Sequence, residues 1–167
     1  TYPEIVKSLE SIHHDALLDG EIVALNQKGQ SQFQLLQEYS KNPDTTLIYY
    51  VFDLLHLDGY DLRHLPLIDR KSLLKKLLPT KNPHLKYSDH IDTEGKELFN
   101  TAKKKNLEGI LAKRKDSLYT STRSDNWQKI KNIQTQEAII CGFTQPKGQR
   151  IQFGALILGI YDQGNLR

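Results

Sequence analysis

The sequence predicts an α+β chain in which strands and helices that share one core precede the first strands of a β-barrel. Three features lead there. The apolar spacing switches several times between helical and strand-like periods over the first 132 residues. Thr45 to Leu57 is a long run of Leu, Ile, Tyr, Val and Phe, as expected of a strand covered on both faces. Near the end of the chain, two apolar segments flank the turn-rich Pro146-Lys147-Gly148, the pattern of a barrel hairpin.

Taken in order, Tyr2-Pro3 opens a short helix carrying Ile5, Leu9 and Ile12 at helical spacing, with Pro tolerated in the first turn. Ala16 to Leu25 is aliphatic and β-branched and reads as a strand, ended by a turn over Asn26 to Gly29. Ser31 and Gln34 have capping-box spacing, so a helix follows with Phe33, Leu36 and Tyr39 on one side, closed by Asn42-Pro43-Asp44. Asp58-Gly59 supplies a turn after the long strand. Pro66 precedes a helix whose Leu73, Leu74, Leu77 and Leu78 are expected inside, with Arg70, Lys71, Lys75 and Lys76 facing water and Pro79 as its stop. His84 to Ile91 reads as a strand. Asp92 or Thr93 is expected to cap a helix to about Asn106, with Leu98, Phe99 and Ala102 inward and Lys103 to Lys105 in its last turn. Glu108 to Lys113 and the segment carrying Trp127, Ile130 and Ile133 are strands around a polar loop from Asp116 to Asp125. The character of the chain changes near Asn132 to Gln136, giving a domain of residues 1–132 and a second, begun domain of residues 133–167. There, Ala138 to Phe143 and Phe153 to Tyr161 are two strands, too few to close a barrel.

Composition narrows the class. The 167 residues are 38% hydrophobic, which suits a chain that buries a core. Twenty-three basic residues against 20 acidic ones give a formal charge of +3, which permits a polyanionic partner without requiring one. A single cysteine, Cys141, excludes an internal disulfide and, with no signal-peptide pattern, points to a reducing, cytoplasmic setting. No apolar run approaches the roughly 18 residues of a membrane-spanning helix.

Four segments join charge to strand-like flanks: residues 18–23, 51–55, 108–114 and 127–131. Each alone reads as an ordinary strand with surface charges. Together they supply two acids, Glu21 and Glu108, one aromatic, Phe52, and two alternating lysines, Lys129 and Lys131. Carboxylates are oxygen ligands for Mg²⁺, which offsets phosphate charge. Period-two alternation puts Lys129 and Lys131 on one strand face, suited to clamping a phosphate. An aromatic ring can stack on a purine. Metal-assisted phosphoryl or nucleotidyl chemistry follows, with the reaction itself left open.

At these spacings the segments resemble the signature motifs of covalent nucleotidyltransferases, most closely ATP-dependent DNA ligases of the bacterial end-joining type. LDGEIVAL resembles motif III, YYVFDLLHLDGYDLRHLPLIDRKSLL motif IIIa, EGILAKRKDSLY motif IV and WQKIKN motif V. The tail CGFTQPKGQRIQFGALILGIYDQGNLR resembles the start of the oligonucleotide-binding (OB) fold domain that follows. The resemblance implies an antiparallel-sheet, ATP-grasp-like nucleotidyltransferase core with flanking helices and, as cofactors, ATP with Mg²⁺ or Mn²⁺. The implied partners are nicked or broken double-stranded DNA and end-joining repair proteins, with no membrane. Glu21 would contact the ribose, Phe52 would stack on adenine, Glu108 would hold the metal, and Lys129 and Lys131 would grip the α-phosphate, with Arg123 as a further phosphate contact. The family reaction passes AMP from ATP to a lysine, then to a 5′-phosphate at a nick, where the 3′-hydroxyl displaces it.

Two departures stand out. The family's nucleophile lies in a Lys-x-Asp-Gly tetrad before motif III, and the Asp-Gly pairs here, Asp19-Gly20 and Asp58-Gly59, have Leu17 and His56 two positions upstream. The nucleophile is therefore expected before residue 1. Ser121-Thr122 also stands where a Pro-Gly turn is expected, next to Arg123. RNA ligases and RNA-capping guanylyltransferases share the core, although motif IIIa and the barrel start favour DNA ligase. The alternative from another class is a non-catalytic nucleotide- or DNA-binding module.

Other features have plainer readings. His13-His14 has no matching pair and reads as surface. Cys141 reads as a small buried hydrophobe, and Trp127 as core packing. Lys103 to Lys105 read as a solvated helix end, with DNA-backbone contact as the functional alternative. Lys113 and Arg114 are divided evenly between a surface role and one near the substrate phosphate or DNA.

Overall fold

The long apolar run folds as β2 (Thr46–Leu57), the central strand of a four-stranded sheet. The computed structural model describes residues 2–167 apart from Pro43, Thr93, Gln134 and Arg150. The chain divides into two compact units, residues 1–131 and 132–167.

In the first unit, β1 (Ala16–Leu25) runs antiparallel to β2 along its length, from Ala16 opposite Leu57 to Leu25 opposite Thr46. Asp58 and Gly59, with φ of 46° and 89°, make the left-handed two-residue turn that returns the chain into β3 (Tyr60–Asp61). Farther along the same edge of β2, β4 (Leu85–Tyr87) pairs in parallel with Tyr49 to Val51. Val51, Leu54 and Leu85 from the sheet meet Leu62, Leu74 and Leu78 in the main core. A second cluster joins Ile5 of α1 (Pro3–Leu9) to Ala24 and Leu47. The other helices are α2 (Phe33–Gln37), α3 (Leu67–Leu77) and α4 (Gly95–Lys104). A separate antiparallel pair, β5 (Gly109–Lys113) with β6 (Trp127–Lys131), completes the unit.

Three local expectations are corrected. On α3, Arg70 and Lys71 are buried and only Lys75 and Lys76 face water. Leu67, Arg70, Lys71, Leu74 and Leu78 fall at i, i+3, i+4, i+7 and i+11, so the two cations occupy the inward stripe itself. Leu73 and Leu77 are only partly covered. The capping box does not form: Ser31 bridges to Leu25, Gln32 is the cap position without a side-chain bond, and Phe33 is 72% exposed. Leu36 and Tyr39 pack against the core as expected, with Leu35 in the place of Phe33. Helix α4 begins after Glu94 rather than Asp92, whose carboxylate is paired with Lys115 at 3.6 Å. Pro43 and Thr93, expected as part of a helix stop and as a cap, lie outside the described residues.

Two carboxylates explain why charge is buried on α3. Asp19 and Asp53 are direct partners across β1 and β2, and like charges in that position repel. Asp53, fully buried, accepts from Arg70 Nε at 2.7 Å and Nη2 at 2.8 Å. Arg70 Nη1 also donates to the carbonyls of Leu65 and Ser117, which ties the segment before α3 and the loop after β5 to the ion pair. Lys71 donates to the Ser88 carbonyl at 2.8 Å.

The second unit contains two antiparallel pairs, β7 (Ile139–Phe143) with β8 (Leu156–Gly159) and β9 (Tyr161–Asp162) with β10 (Asn165–Leu166). No closed barrel is present among the described residues. Cys141, expected inside, is exposed. It lies at the register shift between Ile140 and Gly142, and a two-stranded pair leaves a face uncovered.

Removing one partner of the buried pair leaves the other charge unmatched. Asp53→Ala is expected to lower unfolding free energy by about 3–5 kcal/mol, whereas Lys76→Ala on the exposed side changes it by less than about 0.5 kcal/mol. Urea denaturation followed by circular dichroism checks both.

Candidate functional site

The β5–β6 hairpin carries most of the candidate residues. Period-two alternation along β6 puts Trp127, Lys129 and Lys131 on one face, opposite Lys113, Leu111 and Gly109 of β5. That face spans about 13 Å from the indole to Lys131. Gly109 makes its charged end possible: its φ is 150°, and a Cβ there would lie 2.1 Å from the Ile130 carbonyl oxygen. Glu108, just before it, accepts from Lys129 Nζ at 2.5 Å. This bond, followed by the nearby charges of Lys129 and Lys131, holds the Glu108 carboxyl below its usual range. The acid stays ionised, and among the described residues only one of its oxygens accepts a hydrogen bond.

The other end is aromatic. The β1–β2 register slips between Asp19 and Gly20, leaving Phe52 unpaired at a bulge. Its ring meets Trp127 edge-on at 5.9 Å, and Tyr119 meets Trp127 edge-on at 6.0 Å. Lys113 Nζ lies in the angle, 3.5 Å from the Trp127 ring centre and 3.9 Å from that of Phe52. Burial lowers the Lys113 amine to about 8, with Asp53 and Asp19 opposing that fall and Lys71 and Arg70 adding to it. Gly20 lets the strands close here, since a Cβ would lie 2.5 Å from the Tyr50 carbonyl oxygen and 2.6 Å from the Tyr49 ring.

The loop between β5 and β6 is tied to the sheet. Carbonyls of Ser117 and Lys115 accept from Leu67 and Ile68 N–H, meeting the open donors at the start of α3. The Tyr119 hydroxyl donates to Asp19 at 2.9 Å, and burial raises its pKa. Beyond it, Tyr119, Thr120, Thr122, Arg123, Ser124 and Trp127 line a cavity of about 220 Å³. Arg123 thus opens onto the aromatic cluster.

The structure therefore brings Glu108 to Lys129, Phe52 to Trp127, and Arg123 to the Trp127 cavity. Glu21 is exposed on β1 opposite Tyr50, with no hydrogen-bond partner among the described residues. Sequence reasoning missed Asp19, Asp53, Arg70 and Tyr119. Two signals were available: an acid inside an apolar strand needs a partner, and Arg70 has the spacing of the buried stripe. Trp127, expected in the core, is half-buried. His14 pairs with Asp58 at 2.6 Å on the surface. Among the described residues no cluster of three or more His, Cys, Asp or Glu could hold a metal, and no helix is long and apolar enough to cross a membrane.

The sequence profile of the family described as "ATP dependent DNA ligase domain" matches residues 1–131. The chain belongs to the ATP-dependent DNA ligase family. That family uses ATP and a divalent metal. One relative is the multifunctional non-homologous end joining protein LigD of Pseudomonas aeruginosa, 37% identical over 162 residues, covering 95% of this chain and 19% of LigD. The SPbeta prophage-derived DNA ligase-like protein LigB of Bacillus subtilis is 33% identical over 147 residues, covering 86% of this chain and 53% of LigB. Among solved structures, a mycobacterial DNA ligase D complexed with ATP and MES superposes with a TM-score of 0.68 at 32% identity, over 99% of this chain and 53% of that one. The ligase domain of Mycobacterium tuberculosis LigD gives 0.67 at 33% identity, again over 99% and 53%. The chain thus spans from 19% to 53% of the lengths of these ligases.

Trp127 is the only tryptophan, so its emission reports on the Lys113 ammonium beside it. The expected result is a fluorescence step with a midpoint near pH 8 as the amine loses its proton. The step is lost in Lys113→Met.

Proposed function

We propose that these residues form the nucleotide-binding part of an ATP-dependent DNA ligase that seals nicked or broken double-stranded DNA in repair, through a lysyl-adenylate and then a DNA-adenylate. The observation carrying this reading is the single hairpin face that runs from Trp127 beside Phe52 to Lys129 and Lys131 beside Glu108. An aromatic end suits a base and a cationic end suits phosphates. Phe52 stacks on adenine, Glu21 contacts the ribose, and Lys129 and Lys131 hold the α-phosphate. Arg123 adds a further phosphate contact.

Glu108 would hold Mg²⁺ or Mn²⁺. Its exposed, ionised carboxylate fits an ion that takes one or two protein carboxylates and completes its shell with water and phosphate oxygens. Such an ion supplies charge neutralisation at the phosphate. End-joining repair proteins are the proposed partners besides DNA, the cytoplasm the proposed location, and residues 132–167 the start of the OB-fold domain. The 167 residues contain no Lys-x-Asp-Gly tetrad, so alone they bind nucleotide without self-adenylation.

The test incubates these residues, alone and joined to an upstream segment bearing the lysine, with labelled ATP and Mg²⁺. Only the joined protein should acquire covalent AMP label that survives denaturing electrophoresis and is released by acid, as a lysyl phosphoramidate is; no label there would refute the ligase reading. Label from GTP would instead identify a capping enzyme. Glu108→Ala and Lys129→Ala in the joined protein should each reduce labelling by at least about 100-fold, and normal labelling in either removes its assigned role.

A further inference from the structure

We propose that Tyr119 is a positioning residue, its hydroxyl anchored on Asp19 and its ring against Trp127, which holds the Arg123 loop in register with the β5–β6 face that carries Trp127, Lys129 and Lys131. The inference rests on the ligase reading for what the register serves. Its geometry stands without it.

Tyr119 lies 100 residues from Asp19 in sequence, yet its hydroxyl reaches the Asp19 carboxylate at 2.9 Å. That carboxylate sits at the β1 slip, beside Gly20 and two residues before Glu21. The Tyr119 ring lies edge-on to Trp127 at 6.0 Å and 5.8 Å from the Arg70 guanidinium carbon. Its backbone N–H donates to the Arg63 carbonyl at 3.0 Å. Four residues later Arg123 shares the same cavity wall. One side chain therefore links the strand of Glu21, the strand of Lys129 and Lys131, and the loop of Arg123. Arg123 has no hydrogen-bond partner among the described residues, so its direction is left to the loop that carries it.

Deleting only the hydroxyl separates positioning from packing. In the joined protein, Tyr119→Phe should lower kcat for AMP labelling about tenfold, while KM for ATP stays within about twofold, because stacking and the two lysines are untouched. Asp19→Ala should lose as much, and the double variant no more than either alone. Asp19→Asn keeps an oxygen that accepts from the hydroxyl and should restore the rate. A KM rise with kcat intact, additive losses, or an Asp19→Asn as weak as Asp19→Ala would each overturn the proposal.

A second arm needs no catalysis. In the 167-residue chain, Tyr119→Phe should make Trp127 about twice as accessible to acrylamide quenching, at an unchanged circular dichroism spectrum. Unchanged quenching refutes the positioning role whether or not the joined protein takes up AMP. Missing label on the unsubstituted protein, with quenching altered as expected, counts against the ligase reading alone.

Discussion

The packing of the first unit depends on one buried ion pair. Asp53 lies in the middle of the central strand, where an unpaired carboxylate would be costly, and directly opposite a second carboxylate, Asp19. Arg70 resolves this by giving Asp53 two parallel hydrogen bonds from Nε and Nη2 while Nη1 donates to the carbonyls of Leu65 and Ser117. Those carbonyls belong to the segment before α3 and to the loop after β5. A single guanidinium thus fixes where α3 lies on the sheet and where the β5–β6 loop begins. A hydrophobic pair could fill the same volume, but it would offer those carbonyls no donor.

The candidate site is the far side of this arrangement. Tyr119 and Asp19 continue the network that begins at Arg70, and Lys113 lies above it in the field of both acids. Its ammonium rests on aromatic faces, where the ring quadrupoles replace part of its lost hydration. Burial still disfavours its charge, which is why its pKa falls. Lys129, by contrast, is exposed and pairs with an exposed acid, so that contact orients the two groups more than it stabilises the fold.

Much of this was legible in the residues. The β1 run, the β2 run, the Asp58-Gly59 turn and the lysine alternation of β6 each follow from local periodicity or turn chemistry, which act over a few residues. Family membership was also legible, because its motifs are short and ordered. The failures have a common cause. Arg70 and Lys71 were placed in water because charge was read before position on the stripe, and only a partner distant in sequence makes burial tolerable there. Ser31 was read as a cap because capping is local, but a bridge to Leu25 competes for it. Cys141 was read as buried because its neighbours are apolar, while burial depends on a covering layer.

By itself, then, the sequence determined the longer strands and helices, which family the chain belongs to, and which residue types are available for nucleotide chemistry. Tertiary structure alone decided that Asp53 meets Arg70, that Tyr119 reaches Asp19, and that Lys113 rests between Phe52 and Trp127. The reason is physical: periodicity and turn preferences are encoded between neighbours, whereas a buried charge acquires its meaning from a partner on another element, brought close only by the packed sheet.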